Sequence, residues 1–185
     1  DDGVQIIDIS DVDNIVAKDS MDDTGSLELD AARGVDVFTI GSSTYAIVAA
    51  WKDDGVQIID ISDPTNIVAK DSMDDTDSLE LDGANDVETF TIGSSTYAIV
   101  ASNADDGVQI IDISDPTNIV AKDSMDDTDS LELDGARGID VFTIDSSTST
   151  TTYAIVTSYA DDGVQIIDIS DVDNIVAKDS MDDTG

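Results

Sequence analysis

The chain has no cysteine and no histidine among its 185 residues. That removes disulfides, thiolate nucleophiles, Ser-His-Asp triads and every zinc or haem site built on thiolate or imidazole. Basic residues are scarce too. Seven Lys plus Arg stand against 43 Asp plus Glu, a formal net charge of −36. Phosphate backbones and anionic lipid surfaces are held by Lys and Arg, which excludes nucleic acid and such membranes as partners. Cations are attracted instead. Aromatics make up only 4% of the residues, so any core must be aliphatic. No apolar run approaches the length of a membrane-crossing helix.

What is present is order of another kind. Hydrophobic residues reach 40%, much of it Ile and Val, which argues for a folded chain despite the charge. The heptapeptide Asp-Asp-Gly-Val-Gln-Ile-Ile begins at Asp1, Asp53, Asp105 and Asp161. The first two intervals are equal. The last carries four extra residues in the Ser/Thr run around Ser149 to Thr152, the mark of a surface turn. Residues 1–25 and 161–185 are identical, including Asp11 to Asn14 and Asp171 to Asn174, where the middle copies read Asp-Pro-Thr-Asn. This second period is expected of a piece cut from a longer duplicated array, or of a designed one. The start at Asp1-Asp2-Gly3, without an initiator Met or apolar leader, fits the same expectation.

Within one copy, Val35 to Ile40 alternates and is β-branched, which predicts a strand. Gly41 to Thr44 is a turn, Tyr45 to Ala49 a second strand, Asp53 to Gly55 a turn and Val56 to Ile61 a third strand. Asp63-Pro64-Thr65-Asn66 is a turn with a mechanism: Pro presets φ, and Asp and Asn side chains bond nearby backbone. Ile67 to Asp71 is a short fourth strand, followed by an acidic connector from Ser72 to Asp86. The middle strands are apolar on both faces, so the sheet must be covered on both. Repeating four-stranded antiparallel sheets that cover one another predict an all-β fold, a β-propeller of four-stranded blades. A β-solenoid is the competing arrangement, but it has no need of such hairpin turns.

The stretch Gly55 to Val68, repeated as Gly107 to Val120, resembles the LVIVD repeat family, as does the preceding Tyr45 to Ala49 and its copy Tyr97 to Ala101. The resemblance implies a β-propeller of the kind found in secreted or cell-surface proteins of bacteria and archaea, so an extracellular or cell-surface location is expected. The acidic connector is longer than the resemblance implies. The blades are expected as a half blade plus connector over 1–33, then full blades over 34–85, 86–137 and 138–185, about three and a half in all. An arc of that size exposes apolar faces. The expected remedy is a homodimer closing a ring of about seven or eight blades, or continuation in a longer array.

The connectors carry the candidate chemistry. Asp71, Asp74, Asp75, Asp77, Glu80 and Asp82 lie in one, and Asp123, Asp126, Asp127, Asp129, Glu132 and Asp134 in the next. Six carboxylates in so short a stretch repel one another, and Ca²⁺ would relieve them with oxygen ligands. The spacing does not match an EF-hand loop. The alternative is a solvated acidic face. Asp60, Asp112 and Asp168 close the third strand and are expected to bond turn backbone. Asp36, Glu88 and Asp140 fall on the first strand, which lines the channel in a propeller. Arg33 and Arg137 are expected to pair with connector carboxylates, and Trp51 to act as a packing cap. Most acidic positions recur in each copy, and none is read as an active site. The chain is therefore expected not to be an enzyme and to need no cofactor beyond Ca²⁺. It is read as a binding or structural interaction module for a protein or glycan surface. The other reading is a ligand-binding part of a larger secreted enzyme or receptor.

Overall fold

The computed structural model describes residues 2–182 apart from Asp77, Asp129 and Thr148. Those residues form fourteen strands and no helix. β1 (Gly3–Asp8) and β2 (Val16–Asp22) make a two-stranded sheet. Three four-stranded antiparallel meanders follow. The first is β3 (Ala32–Ile40), β4 (Ser43–Ala50), β5 (Gly55–Asp60) and β6 (Val68–Asp74). The second is β7 (Ala84–Ile92), β8 (Ser95–Ser102), β9 (Gly107–Asp112) and β10 (Val120–Asp126). The third is β11 (Ala136–Asp145), β12 (Thr150–Ser158), β13 (Val164–Asp168) and β14 (Val176–Met181).

The predicted turns and middle strands are found where the alternation put them. Val56, Ile58 and Ile59 on β5, like Ile47 and Val48 on β4, are buried from both sides of their sheet. One apolar layer joins the first meander to the second through Phe38, Ile47, Ala49, Val87, Val100 and Ile111. Another joins the second to the third through Phe90, Ile99, Ala101, Ile139, Val156 and Ile167. The inner strands β3, β7 and β11 touch in sequence, as blades arranged around an axis require. A Phe–Tyr ring pair, Phe38–Tyr45 at 5.5 Å between centroids, recurs as Phe90–Tyr97 and Phe142–Tyr153.

The fourth strand corrects the sequence reading. It runs to Asp74 rather than ending at Asp71, and the next inner strand begins at Ala84. Ser72, Met73 and Asp74 pair with Gln57, Val56 and Gly55 after a bulge opposite Ile58. A charged outer strand is tolerated because it lies at the sheet edge, where polar side chains also discourage stray pairing. The connector proper is therefore shorter than predicted. Asp71, Asp74, Asp123 and Asp126 belong to strands.

Candidate functional site

The bulge is the origin of the acidic architecture. A bulge re-aims the side chain of the extra residue and leaves backbone groups without ladder partners. Gln57 answers the second problem. Its Nε2 donates to the Ile58 carbonyl at 3.0 Å and to the Asp71 carbonyl at 2.9 Å, while its Oε1 accepts from the Glu28 amide at 3.3 Å. Gln109 and Gln165 repeat the arrangement with the Glu80 and Glu132 amides, both at 3.2 Å. All three glutamines are buried. Sequence reasoning missed them. Their signal was a polar residue kept inside Val-Gln-Ile-Ile in every copy.

The re-aimed aspartate points at the neighbouring sheet. Asp19 accepts the Ile67 amide, Asp71 the Ile119 amide and Asp123 the Ile175 amide, each at 2.8 Å. These contacts fasten successive sheets to one another. A second set holds the connectors. The Asp53 carboxylate accepts the amides of Leu29 at 2.8 Å and Asp30 at 2.7 Å. Asp105 accepts the Asp82 amide at 2.8 Å, and Asp161 the Asp134 amide at 2.9 Å. Asp54 and Asp106, both in the left-handed region, accept the amides of Gly83 at 3.0 Å and Gly135 at 2.8 Å.

The described connector carboxylates are thus divided rather than gathered. Asp71 and Asp123 serve the blade contacts just described. Asp74 lies beside Glu28 of the preceding connector, and Asp126 beside Glu80. Asp75 donates its amide to the Asp54 carbonyl at 2.7 Å and keeps one buried carboxylate oxygen without a hydrogen-bond partner. Asp127 accepts the Leu133 amide at 3.2 Å. Asp82 and Asp134 give their amides to the turn aspartates, and burial together with neighbouring aspartates pushes both carboxyls upward. Asp77 and Asp129 lie outside the described residues. Among the described residues no three acidic side chains are grouped as a metal ion would require.

Burial and the crowding raise the glutamate carboxyls. Burial, then a hydrogen bond to Asp126 and the charges of Asp126, Asp105 and Asp75, pushes the Glu80 carboxyl up to about 8. Burial and Asp74, with Asp53 and Asp23, raise Glu28 to about 7. Glu132 moves the same way through burial, Asp161, Asp182 and Asp127.

Asp60, Asp112 and Asp168 each accept the amide of the serine two residues on, at 3.0–3.1 Å, as turn carboxylates should. Asp60 and Asp168 also pair with Lys70 and Lys178 at 3.1 Å. On the inner strands, Asp36 accepts the Thr89 amide at 2.8 Å, a link from β3 to β7. Burial raises Glu88, and the charges of Asp36, Asp140 and Asp86 add to it. The two arginines depart from expectation. Arg33 lies over the Trp51 ring at 4.4 Å and donates to Asn85 Oδ1 at 2.6 Å, and Arg137 lies over Tyr159 at 4.0 Å. A weakly hydrated planar cation gains from an aromatic face. Trp51 is therefore a platform for Arg33.

The comparisons agree with this architecture. The exo-β-1,3-galactanase of Phanerochaete chrysosporium, solved with galactose, superposes with a TM-score of 0.55 at 18% identity, over 83% of this chain and 39% of that one. The same enzyme with β-1,3-galactotriose gives a TM-score of 0.54 at 19% identity, again over 83% and 39%. A protein from Lactobacillus plantarum gives 0.58 at 12% identity, over 91% and 45%. The chain spans less than half the length of these solved structures, and the likeness is one of fold. No curated protein matches the chain. The LVIVD repeat model matches residues 40–75 and 94–127, which hold β4 to β6 and β8 to β10. Those two segments match the LVIVD repeat, and the chain has the β-propeller fold of four-stranded antiparallel blades.

Proposed function

We propose that the arc is a non-catalytic binding or structural module of an extracellular or cell-surface protein. One observation carries the reading: the acidic positions that recur in each copy recur also in their contacts, as acceptors of backbone amides. Carboxylates so engaged are fasteners. Glu88 breaks the pattern, replacing an aspartate between Asp36 and Asp140, and is the residue against which a catalytic reading is tested. Incubation with β-1,3-galactotriose should release no galactose. Release by the parent chain that is lost in Glu88→Gln would overturn the proposal.

Calcium belongs to this proposal as a counter-ion of the acidic rim, supported by the charge of −36 and the crowding around Glu80 and Glu28. Melting in CaCl₂ against NaCl of equal ionic strength separates a built site from screening. Closure of a ring by two copies is the proposed assembly, supported by the exposed Ile7, Ile9 and Ile15 on the outer side of the first sheet.

A further inference from the structure

We propose that the open edge of β1, with the groove beside it, is a seat for a β-hairpin that carries the repeat's own inner-strand sequence. Among the described residues, β1 pairs with β2 alone. Its counterpart β5 is paired on both sides, with β4 and β6. Beside the unpaired edge lies an apolar groove of about 230 Å³, lined by Val4, Ile6, Val35, Val37 and Ile61 among others.

The repeat states what fits there. Between the other blades, the inner hairpin supplies the covering side chains: Phe38, Ile47 and Ala49 at one interface, Phe90, Ile99 and Ala101 at the next. In the apolar layer between the first sheet and β3–β6, the only inner-hairpin residues among those described are Ala32 and Val48 of the covered β3–β4, and the first sheet covers them with Val4, Ile6 and Met21 alone. The effect is visible at one position. Val35 is 59% exposed, while its repeat equivalents Val87 and Ile139, covered by those hairpins, are 2% and 9% exposed. The β4–β5 register, Tyr45 opposite Asp60 and Val48 opposite Gln57, sets the pairing of an incoming strand along Asp8 to Gln5. The occupant is thus a hairpin with Phe on its first strand and Tyr-x-Ile-x-Ala on its second. It adds a strand to a sheet edge by main-chain bonds and gains specificity from alternate side chains. An intact second copy is a poor donor, because each of its inner hairpins already pairs with its own third strand. Ring closure through Ile9 and Ile15 would leave this seat open.

The test fuses the sequence of residues 34–52 directly ahead of Asp1, in the order in which Lys52 precedes Asp53. Hydrogen exchange and melting are followed in the parent and extended chains. The extended chain is expected to melt several degrees higher, with β1 amides exchanging about tenfold more slowly or better. Val35→Asp should leave the parent nearly unchanged and abolish the gain in the extended chain. An added segment that stays protease-labile, with β1 exchange unaltered, would overturn the proposal. So would β1 protection in the parent that grows with concentration, since that would give the seat to a second copy.

Discussion

Ala31 has a φ of 57°, in the left-handed region, where its repeat equivalents Gly83 and Gly135 have φ values of 68° and 70°. An L side chain there is disfavoured, so Ala31→Gly is expected to raise stability by about 0.5–1 kcal/mol in chemical denaturation. Gly83→Ala should do the reverse, because an added Cβ would meet the Ala104 nitrogen at 3.0 Å. The half-buried glutamates act at the same scale. Glu80, at about 8, and Glu28, at about 7, hold protons in the folded chain that they release once unfolded at neutral pH. Folding then binds protons, so stability falls as pH rises from about 5 to 8. The melting temperature should climb when the pH is lowered through that window. It should decline at still lower pH as Asp60, Asp63 and Asp168, whose carboxyls are lowered by turn and lysine bonds, become protonated. Glu80→Gln should flatten the upper part of the profile.

At the scale of the strand, the fold depends on the bulge in the fourth strand and the glutamine that closes it. Gln109→Leu keeps the apolar packing but leaves the Ile110 and Asp123 carbonyls and the Glu80 amide without their partner. A loss of about 2–4 kcal/mol is expected by denaturant titration. The sequence made most of this scale legible. Val35 to Ile40 and Val56 to Ile61 announce themselves by alternation and β-branching, and Asp63-Pro64-Thr65-Asn66 by its turn chemistry. Ser72-Met73-Asp74 does not, because an edge strand buries little and carries no apolar pattern. The acidic residues were legible as a group and misleading as one. Asp71 and Asp82 are close in sequence, yet the bulge turns one toward the next blade while the connector carries the other to Asp105 and Asp54. Nothing in residue spacing encodes the direction a bulge gives to a side chain.

Across the whole molecule, the same few contacts repeat and the blades add like units of a one-dimensional array. The strands build the apolar layers, and the aspartates at the bulges join each blade to the next. The charge of −36 is therefore tied to the architecture: part of it closes turns, part clips connectors, and part crosses between blades. Exposure along the repeat shows how local the energetics are. Ile15 is 61% exposed on the first sheet, while Ile67, Ile119 and Ile175, each receiving an aspartate from the blade before, are 7–8% exposed. The most direct measurement is the thermal melting of Asp123→Ala beside Asp123→Asn. The alanine variant orphans the Ile175 amide and should melt about 3–6 °C lower. The asparagine variant keeps an oxygen to accept that amide and should stay near the parent, with or without calcium. An alanine variant that melts like the parent, or an asparagine variant as damaged as alanine, would contradict the account of these carboxylates as fasteners between blades.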